Sequence, residues 1–399
     1  MLTEKQMEKY CDVLLWALMA ARKGRYRRGN VVLVRYDLAA IRMAEILQAK
    51  ILSRGMNPVL RTGMTSTMES DFFRVAKAAQ LDFHPPGEKE LYEHLNGSIY
   101  VLAPDALTHL AGVDSKKISR VAIARKPLKD ILDQREEKGE FGWTLCLLPT
   151  AELARHARVS MRQYEGQVVK ACYLDEDDPV SKWRSLFEDA AGIKKWLNSM
   201  SMKALQLESE NTDLKLSPGE KRRWIGMTGH NIPSFEIFLS PDWRGTEGVF
   251  YADQPSFRNG NYVEGVRLFF KKGSVVKLEA RTGGDFARKY IRSDRGGGRV
   301  GEFSLTDKRF SKIDRFMANT LFDENYGGRS GNCHLALGAS YSDTYRGDAS
   351  RLTAKMKESL GFNESAIHWD LVNTEKKRVT AYHASGGKTV IYENGMFCC

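Results

Sequence analysis

The first half of the chain alternates short apolar runs with amphipathic stretches. Four of the runs have the length and composition of buried strands, and they lie at 31–36, 58–62, 98–104 and 142–149. Between the first two runs, apolar residues recur at helical spacing, with Asp37 as the predicted N-cap and Gly55 as the predicted C-cap. Strands separated by helices form a mainly parallel sheet that is covered on both faces. The pattern therefore predicts an α/β domain.

The pattern changes near residue 200, after a predicted helix that starts with Pro179 at its first position. Beyond it the apolar runs shorten, and antiparallel hairpins are predicted at 266–280 and 389–397, the second with Asn394-Gly395 as its turn. Further helices are predicted around 285–292, 311–320 and 350–360. We expect two domains: an α/β domain with a mainly parallel sheet over 1–200, and an α+β domain rich in antiparallel hairpins over 201–399.

The bulk composition is that of a globular protein with room for two domains. At about 150 residues per domain, 399 residues are too many for one ordinary core. The formal charge of +11 admits a nucleic-acid partner, but the only dense basic run is 22–28, and such runs are usually solvated faces. We therefore expect no nucleic-acid partner.

Nothing in the sequence predicts a targeting segment or a membrane span. The longest apolar stretch, 11–21, ends at Arg22 and Lys23 and is too short to cross a bilayer, so we expect no membrane partner. The six cysteines include no CxxC pair, and they stand at Cys11, Cys146, Cys172, Cys333, Cys398 and Cys399. Free thiols of this kind favour a cytoplasmic protein.

Two glutamates stand inside apolar, strand-like runs of the second half. Glu236 lies in IPSFEIF and Glu302 in GEFSL. A buried carboxylate without a partner is costly, so each of them needs a proton, a partner or a metal ion. The alternative is that each points to solvent from a half-exposed strand.

His368 and Asp370 stand two residues apart in the strand-like run AIHWDLV. Side chains alternate along a strand, so both project from the same face and can reach a shared cation. An ordinary pair on an exposed strand is the alternative, although the apolar neighbours favour burial. The histidines of the first half are scattered, have no evident carboxylate partner, and are expected to be structural or solvated.

A third group of candidate ligands lies between 321 and 341: Asp323, Glu324, His334 and Tyr341. Together with the residues above, this group supplies enough carboxylate and imidazole for two divalent ions. Oxygen and nitrogen ligands suit zinc, cobalt or manganese, and no thiolate site is implied. No GxxxxGK[ST], HExxH or GxSxG motif occurs in the chain, which removes several common enzyme classes.

Five blocks of the second half resemble the thermophilic-type metallo-aminopeptidases, the aminopeptidase T, aminopeptidase S and PepS group. The blocks are NIPSFEIF, GEFSL, TLFDEN, CHLALGASY and IHWDL, and the resemblance covers most of 212–397 in order. The first half is similar to that family only in architecture. His334 follows Glu324 by ten residues, a wider spacing than the family usually has, and YGGRSGN resembles an insertion.

The resemblance implies a metal-dependent aminopeptidase that removes N-terminal amino acids from peptides with a free N-terminus. Water activated by two divalent ions would be the nucleophile. The implied metal ligands are Glu236, Glu302, Glu324, His334, His368 and Asp370. Glu302 would bridge the two ions and be essential for catalysis, and Tyr341 would bind a metal weakly or donate a hydrogen bond to the reacting oxygen.

The resemblance also implies a homodimer, with the second half as the catalytic domain. Two alternatives remain open at this point. One is a different dinuclear metal hydrolase, acting on amides or phosphoesters, and the other is a basic nucleic-acid-binding protein.

Overall fold

A computed structural model describes residues 2–399 and divides the chain into two compact units. Unit 1 comprises Met1–Leu186 and Met227–Ser234, and unit 2 comprises Phe187–Gly226 and Phe235–Cys399. The chain thus passes between the units three times, whereas the sequence predicted one boundary at residue 200. The first crossing falls inside a helix, which is why no loop-like composition marks it.

The structure assigns a continuous series of helices and strands. The helices are α1 (Glu4–Ala21), α2 (Ile41–Ser53), α3 (Ser66–Val75), α4 (Ala78–Leu81), α5 (Glu88–His94), α6 (Ser115–Glu137), α7 (Ala151–His156), α8 (Met161–Ala171), α9 (Pro179–Ser199), α10 (Gly284–Tyr290), α11 (Thr320–Asp323) and α12 (Ala354–Ser359). The strands are β1 (Val31–Tyr36), β2 (Asn57–Thr62), β3 (Gly97–Leu102), β4 (Gly142–Leu147), β5 (Met202–Glu208), β6 (Asp213–Ser217), β7 (Ile225–Gly226), β8 (Asn231–Ile232), β9 (Glu236–Leu239), β10 (Asp242–Ala252), β11 (Ser256–Arg258), β12 (Asn261–Val263), β13 (Val266–Lys271), β14 (Ser274–Glu279), β15 (Val300–Thr306), β16 (Asn332–Gly338), β17 (His368–Asn373), β18 (Arg378–His383), β19 (Lys388–Glu393) and β20 (Met396–Phe397).

Unit 1 is built on one parallel sheet, as the alternating pattern predicts. Its strand order is β2-β1-β3-β4-β8, and every pairing in it is parallel. Helices cover the sheet because parallel strands need long crossover connections. The α/β class predicted for the first half is confirmed.

Helix α1 shows how one of these helices is fixed. The side chain of Thr3 accepts a hydrogen bond from the Gln6 backbone, and the Gln6 side chain accepts one from the Thr3 backbone, which closes a capping box. Its buried residues include Cys11, Leu14 and Leu18, and they pack against β3 and β4. Among the described residues, no helix has both the length and the apolar character that a membrane crossing requires.

Of the two residues predicted to cap α2, one caps the helix as expected and the other uses its side chain elsewhere. Gly55 follows the helix with a φ of +71°, the left-handed conformation that glycine adopts most readily at a helix end, so that prediction is confirmed. Asp37 occupies the N-cap position of a 3-10 turn, Leu38–Ala40, that leads directly into α2, but its side chain makes no capping hydrogen bond. Its carboxylate accepts hydrogen bonds from the backbone nitrogen of Ala103 at 2.7 Å and from the Tyr100 hydroxyl at 3.0 Å. The Asp37 carboxylate therefore fixes the end of β3, while its backbone carbonyl accepts the first hydrogen bond of the helical turn, from Ala40.

The larger sheet of unit 2 is antiparallel and contains both predicted hairpins. Its order is β14-β13-β10-β6-β5-β18-β19-β20. The turn between β19 and β20 has Asn394 at φ +53° and Gly395 at φ +80°, the combination that a two-residue hairpin turn requires. The α+β class with many antiparallel hairpins is confirmed for the second half.

The second sheet of unit 2 positions the candidate site. Its order is β17-β16-β15-β9-β7, all antiparallel, and every residue of β15 and β16 is buried. Ala336 on β16 is paired with Glu302 on one side and Asp370 on the other. Strand β10 of the larger sheet packs against β15 and β17. The register therefore aligns acidic residues that lie far apart in the sequence.

The helix predicted at 311–320 is not formed, and α11 begins only at Thr320. Side chains take the place of helical hydrogen bonds in this segment. Asp323 accepts the backbone N–H groups of Met317 at 2.7 Å and Asn319 at 2.9 Å. The Ser311 hydroxyl accepts the N–H of Ile313 and donates to the Asn325 carbonyl. The apolar residues Ile313 and Met317 are buried by an irregular loop and not by a helix.

Candidate metal centre

Four neighbouring strands deliver the candidate ligands to one place in unit 2. Glu236 lies at the start of β9 and Glu302 on β15, and the side chain of Ser304 on β15 donates to Glu236 Oε2 at 3.4 Å. His334 lies on β16, and the side chains of Glu302 and His334 are 4% and 1% exposed. The candidate centre is therefore built on the most deeply buried strands of the unit.

His368 and Asp370 project from the same face of β17, as their spacing predicts. The distance from His368 Nε2 to Asp370 Oδ1 is 3.1 Å. The intervening Trp369 points the other way, is fully buried, and donates its indole N–H to the Ser256 hydroxyl at 3.0 Å. Strand β17 thus has one face that packs in the core and one face that presents the candidate metal ligands.

Glu302 stands between the two histidines. Its Oε1 lies 3.2 Å from His334 Nε2, and its Oε2 lies 3.4 Å from His368 Nε2. Glu236 Oε2 lies 3.3 Å from the same nitrogen of His334. Two groups of three residues result, Glu236–Glu302–His334 and Glu302–His368–Asp370, and within each group the candidate ligand atoms lie within 4.8 Å of one another. Glu302 belongs to both groups.

The chemistry of this set suits metal ions. His368 Nδ1 lies 2.9 Å from the Ala339 carbonyl and donates to it, so in the neutral ring the lone pair is on Nε2. That lone pair faces carboxylate oxygens, which are acceptors as well. Acceptor atoms brought together in this way repel one another unless a cation or protons lie between them. The residues could therefore hold divalent ions that prefer oxygen and nitrogen ligands.

In the metal-free chain, protons balance the same charges. Burial lowers the pKa of His334, but its hydrogen bond to Glu302 and the charge of Glu236 outweigh burial and raise the pKa to about 9. Burial also lowers the pKa of His368. The charge of Asp370 outweighs this effect and raises the pKa of His368 to about 10. The negative field that retains these protons is the field that would attract a dication.

The pKa values of the carboxylates separate into two classes. Burial alone would raise the pKa of Glu302 and of Asp370, yet the adjacent histidines hold both below their ordinary values. Burial and then the charge of Glu302 raise the pKa of Glu236 to about 7. Burial and then the charges of Glu236 and Asp370 raise the pKa of Glu324 well above its ordinary value. The site therefore holds more negative charge than its two histidines compensate.

Glu324 lies at the centre but in neither of the two three-residue groups. It follows α11, is 6% exposed, and is close enough to the other carboxylates for their charges to raise its pKa. The resemblance implies that Glu324 is a metal ligand, and that role stays a prediction.

Asp323, the neighbour of Glu324 in sequence, binds backbone groups of the loop before α11 and does not belong to the centre. Both of its oxygens accept backbone N–H groups, from Met317 and Asn319. Burial raises its pKa to about 8, against the opposing effect of those two hydrogen bonds. Of the acidic pair in TLFDEN, only Glu324 therefore belongs to the centre.

Tyr341 stands at the more open side of the centre, with 36% of its surface exposed. Its ring centroid lies 4.9 Å from that of His368 and 5.8 Å from that of Phe238. Removal of water from its hydroxyl, and then the charges of Glu302 and Asp370, raise its pKa well above the ordinary value. The phenol therefore remains protonated and is available as a hydrogen-bond donor.

Sequence reasoning missed Arg258, which lies at the end of β11. Its Nη2 donates to the backbone carbonyl of His368, and its Nε donates to the Tyr290 hydroxyl at 3.1 Å. Its charge contributes to the lowered pKa of Asp370. Nothing in the sequence distinguishes this arginine from the other basic residues, apart from the Asn259-Gly260 turn that follows it.

The prediction that histidines of the first half lack carboxylate partners is wrong. In the first half, His109 Nε2 lies 2.7 Å from Glu69 Oε2, and His156 Nε2 lies 3.0 Å from Glu152 Oε1. Glu69 is 40 positions away from its histidine, but Glu152 is only 4 positions away, one turn of the same helix. Within residues 2–399 neither histidine belongs to a group that could hold a metal ion.

A parallel α/β unit and a second unit with buried histidines and carboxylates around one shared glutamate define a metal-dependent hydrolase. Residues 3–397 match the model of the thermophilic metalloprotease family (M29), and the chain belongs to that family. It is therefore a metalloprotease, a hydrolase of peptide bonds that depends on divalent metal.

Curated relatives extend over much of the chain. Aminopeptidase PepS of Streptococcus thermophilus is 24% identical over 417 aligned residues that cover 98% of each chain. Aminopeptidase AmpS of Bacillus subtilis is 27% identical and covers 79% of each. Aminopeptidase T of Thermus thermophilus is 28% identical over 64% of this chain and 62% of its own length. The family resemblance inferred from the five sequence blocks is confirmed.

A solved structure supports the fold. Wild-type AmpT from Thermus thermophilus superposes with a TM-score of 0.80 at 20% identity, and the match covers 99% of this chain and 100% of that one. At this level of identity, the likeness establishes the shared fold.

Proposed function

We propose that this chain is an aminopeptidase that removes the N-terminal residue of peptides with two divalent ions held in unit 2. The observation that carries the proposal is the pair of three-residue groups that share Glu302. A shared carboxylate with one oxygen toward each group is the arrangement that bridges two ions a few ångströms apart. The names of the curated relatives, all aminopeptidases, support the same activity.

In this proposal Glu236 and His334 would hold one ion, His368 and Asp370 would hold the other, and Glu302 would serve both. Zinc, cobalt and manganese all suit this ligand set. When bound, the ions make a shared water acidic and polarise the scissile carbonyl.

Glu324 is the proposed proton carrier. The water oxygen bonds to the carbonyl carbon, the carbonyl π electrons move to its oxygen, and Glu324 accepts the proton that the water loses. The electron pair on that oxygen then re-forms the carbonyl, the carbon–nitrogen bond breaks with its electrons passing to nitrogen, and Glu324 returns the proton to this departing nitrogen. Its burial beside both three-residue groups, and its absence from each, support this role.

Tyr341 is the proposed donor to the oxygen that becomes negative during attack. A protonated phenol can stabilise that oxygen without itself losing a proton. Its exposed fraction and its contact with His368 place it where a substrate can reach it.

The demand for a free N-terminus has an electrostatic basis. Four carboxylates converge on this centre: Glu236, Glu302, Glu324 and Asp370. A peptide's terminal amine is the one backbone group that can carry a positive charge, and in its neutral form it can bind a metal ion, so it is the group best suited to an anionic site. An acylated terminus loses both capacities.

Hydrolysis of a blocked and an unblocked substrate tests the proposal. Leucine p-nitroanilide and its N-acetyl form would be compared after chelation and after addition of zinc, cobalt or manganese, with bis(p-nitrophenyl) phosphate as a third substrate. We expect metal-restored cleavage of the free-amine substrate alone. Equal cleavage of the acetylated form would indicate an amidase, and cleavage of the phosphate diester would indicate a phosphoesterase.

We also propose a cytoplasmic homodimer that binds neither nucleic acid nor membrane. All six cysteines are free, which agrees with a reducing compartment. Light scattering during gel filtration should give twice the chain mass of 45.1 kDa. Steeply salt-dependent retention of RNA or DNA would favour the nucleic-acid-binding alternative instead.

A further inference from the structure

A short two-stranded ribbon, β11 with β12, lies beside the candidate metal centre. Its turn residues Asn259 and Gly260 have φ values of +47° and +64°, so the two strands are joined by a tight two-residue turn. The ribbon is fixed to β17 at two points: Ser256 accepts the indole N–H of Trp369, and Arg258 donates to the His368 carbonyl. Arg258 is therefore held in a defined place next to two candidate ligands.

The guanidinium of Arg258 is half-buried and has neutral partners only. Nε donates to the Tyr290 hydroxyl and Nη2 to the His368 carbonyl, and the guanidinium carbon lies 5.7 Å from the centroid of the Tyr290 ring. Within residues 2–399 no carboxylate forms a direct ion pair with it, and its Nη1 makes no hydrogen bond. A partly buried cation without an anionic partner lowers the free energy of unfolding, so a functional reason for this arginine is needed.

The charges of the centre supply that reason. Two divalent ions would balance the four carboxylates Glu236, Glu302, Glu324 and Asp370, with both histidines neutral. Attack on the scissile carbonyl then places one negative charge on the carbonyl oxygen, while the proton that the water loses neutralises Glu324. Arg258 lies within electrostatic reach of Asp370 and of Tyr341, and Tyr341 is 36% exposed.

We propose that Arg258 is a further catalytic residue, whose free Nη1 group donates to the negatively charged oxygen of the tetrahedral intermediate. The role rests on the proposed aminopeptidase function. Tyr341 and Arg258 then approach this oxygen as two fixed donors, one neutral and one cationic. The tight turn and the Tyr290 contact hold the guanidinium in place before substrate arrives, so no reorganisation is needed during the reaction.

A purely positioning role makes the opposite prediction for metal affinity. If Arg258 served only to hold the His368 carbonyl, its loss would loosen β17 and weaken metal binding. If it acts on the substrate oxygen, its loss removes a cation near two dications, and metal affinity stays the same or increases.

The test compares Arg258→Met and Arg258→Lys with the matched control Arg267→Met. Arg267 is a suitable control because it also belongs to unit 2, lies over a tyrosine ring and donates to a neutral side chain, Asn211. Three quantities would be measured: zinc affinity by competition with a chelating dye, affinity for the phosphonic acid analogue of leucine, and kcat and KM for leucine p-nitroanilide.

For Arg258→Met we expect zinc affinity within threefold of the wild type or higher, and KM within about threefold. Both kcat and affinity for the phosphonate should fall by about a hundredfold. Arg258→Lys keeps the charge and should recover part of each loss, while Arg267→Met should behave as the wild type.

The proposal is overturned if Arg258→Met keeps kcat and phosphonate affinity within threefold of the wild type. It is also overturned if zinc affinity falls at least tenfold and saturating zinc restores kcat, because that result shows positioning only. Should Arg258→Met not fold, Arg258→Lys decides, since wild-type kcat with weakened zinc binding also contradicts the proposal. A wild-type chain that fails to cleave leucine p-nitroanilide with any metal overturns the aminopeptidase function itself, a distinct outcome.

Discussion

Glu302 Oε1 and His334 Nε2 lie 3.2 Å apart on two adjacent antiparallel strands, although 32 positions separate the residues in sequence. The other oxygen of Glu302 faces a second histidine, so one carboxylate joins two groups of candidate ligands. This relationship accounts for the cost of burying the carboxylate: each oxygen has a cationic or metal partner to face.

Replacing Glu302 with glutamine should abolish turnover and leave the fold intact. The amide keeps the size of the side chain but places an NH₂ group where one ion would bind, so the shared site is lost. We expect kcat to fall by at least about a thousandfold, with the thermal unfolding midpoint of the metal-free chain nearly unchanged. Glu375→Gln is the control, because Glu375 is held by Ser209, Asn211 and Asn373, outside both ligand groups. Near-normal cleavage by the Glu302 variant would refute the assignment.

Glu324→Gln and Glu236→Gln should separate proton transfer from metal binding. Glu324 is the proposed proton carrier, so its variant should keep two zinc ions per chain and lose about 10²–10⁴-fold in kcat. Glu236 is a proposed ligand, so its variant should lose zinc affinity as well as activity. Elemental analysis after gel filtration, together with initial rates, checks both. Loss of one zinc ion from the Glu324 variant would show that Glu324 is a metal ligand.

Tyr341→Phe should lower kcat with little effect on KM. The variant removes one donor to the developing negative oxygen and keeps the ring contact with His368. We expect a loss of about 10²-fold or somewhat less, since other donors and the ions remain. Steady-state kinetics with leucine p-nitroanilide measures it. An unchanged kcat would show that the hydroxyl does not touch the reacting oxygen.

Lys377→Met should stabilise unit 2. Lys377 is 3% exposed, and within the described part of the chain its Nζ has no hydrogen-bond partner. Burial lowers its pKa. Replacing an unpaired buried charge with a hydrophobic side chain of similar size should raise the free energy of unfolding by about 1–4 kcal/mol. The exposed neighbour provides the control, Lys376→Met, which should change stability by less than about 0.5 kcal/mol.

The gain from Lys377→Met should depend on pH in one direction. Because the folded-state pKa lies below that of the unfolded chain, the unfolded state binds more protons between the two values, and wild-type stability rises with pH there. The difference between variant and wild type is then greatest below the folded pKa and declines as pH rises towards about 10.4. Urea unfolding at several pH values measures it. A gain that grows with pH would contradict the burial of a charged amine.

Local periodicity was sufficient for the parts of the centre that depend on one strand. His368 and Asp370 share a face because side chains alternate with period two, and that rule does not depend on the rest of the fold. The same applies to Asn394 and Gly395, whose turn is encoded by the two residues themselves.

Local sequence patterns could not predict contacts between residues that lie far apart in the sequence. Asp37 resembles a helix cap in sequence, but its partner Ala103 lies 66 positions away. The unformed helix at 311–320 is similar, since Asp323 competes for backbone groups that a helix would use. The sequence did not distinguish Arg258, because its proposed role depends on how the ribbon of β11 and β12 packs against β17. The sharing of Glu302 followed from family resemblance, and the register of β15 with β16 supplies its physical basis.

Titration of the chelator-treated chain with zinc, followed by calorimetry and by the rate of leucine p-nitroanilide cleavage, tests the shared centre most directly. Two ions per chain should bind to the wild type, full activity should require both, and Glu302→Ala should bind at most one with no activity. A wild-type chain that is fully active with one ion, or a Glu302→Ala variant that retains two, would contradict the account.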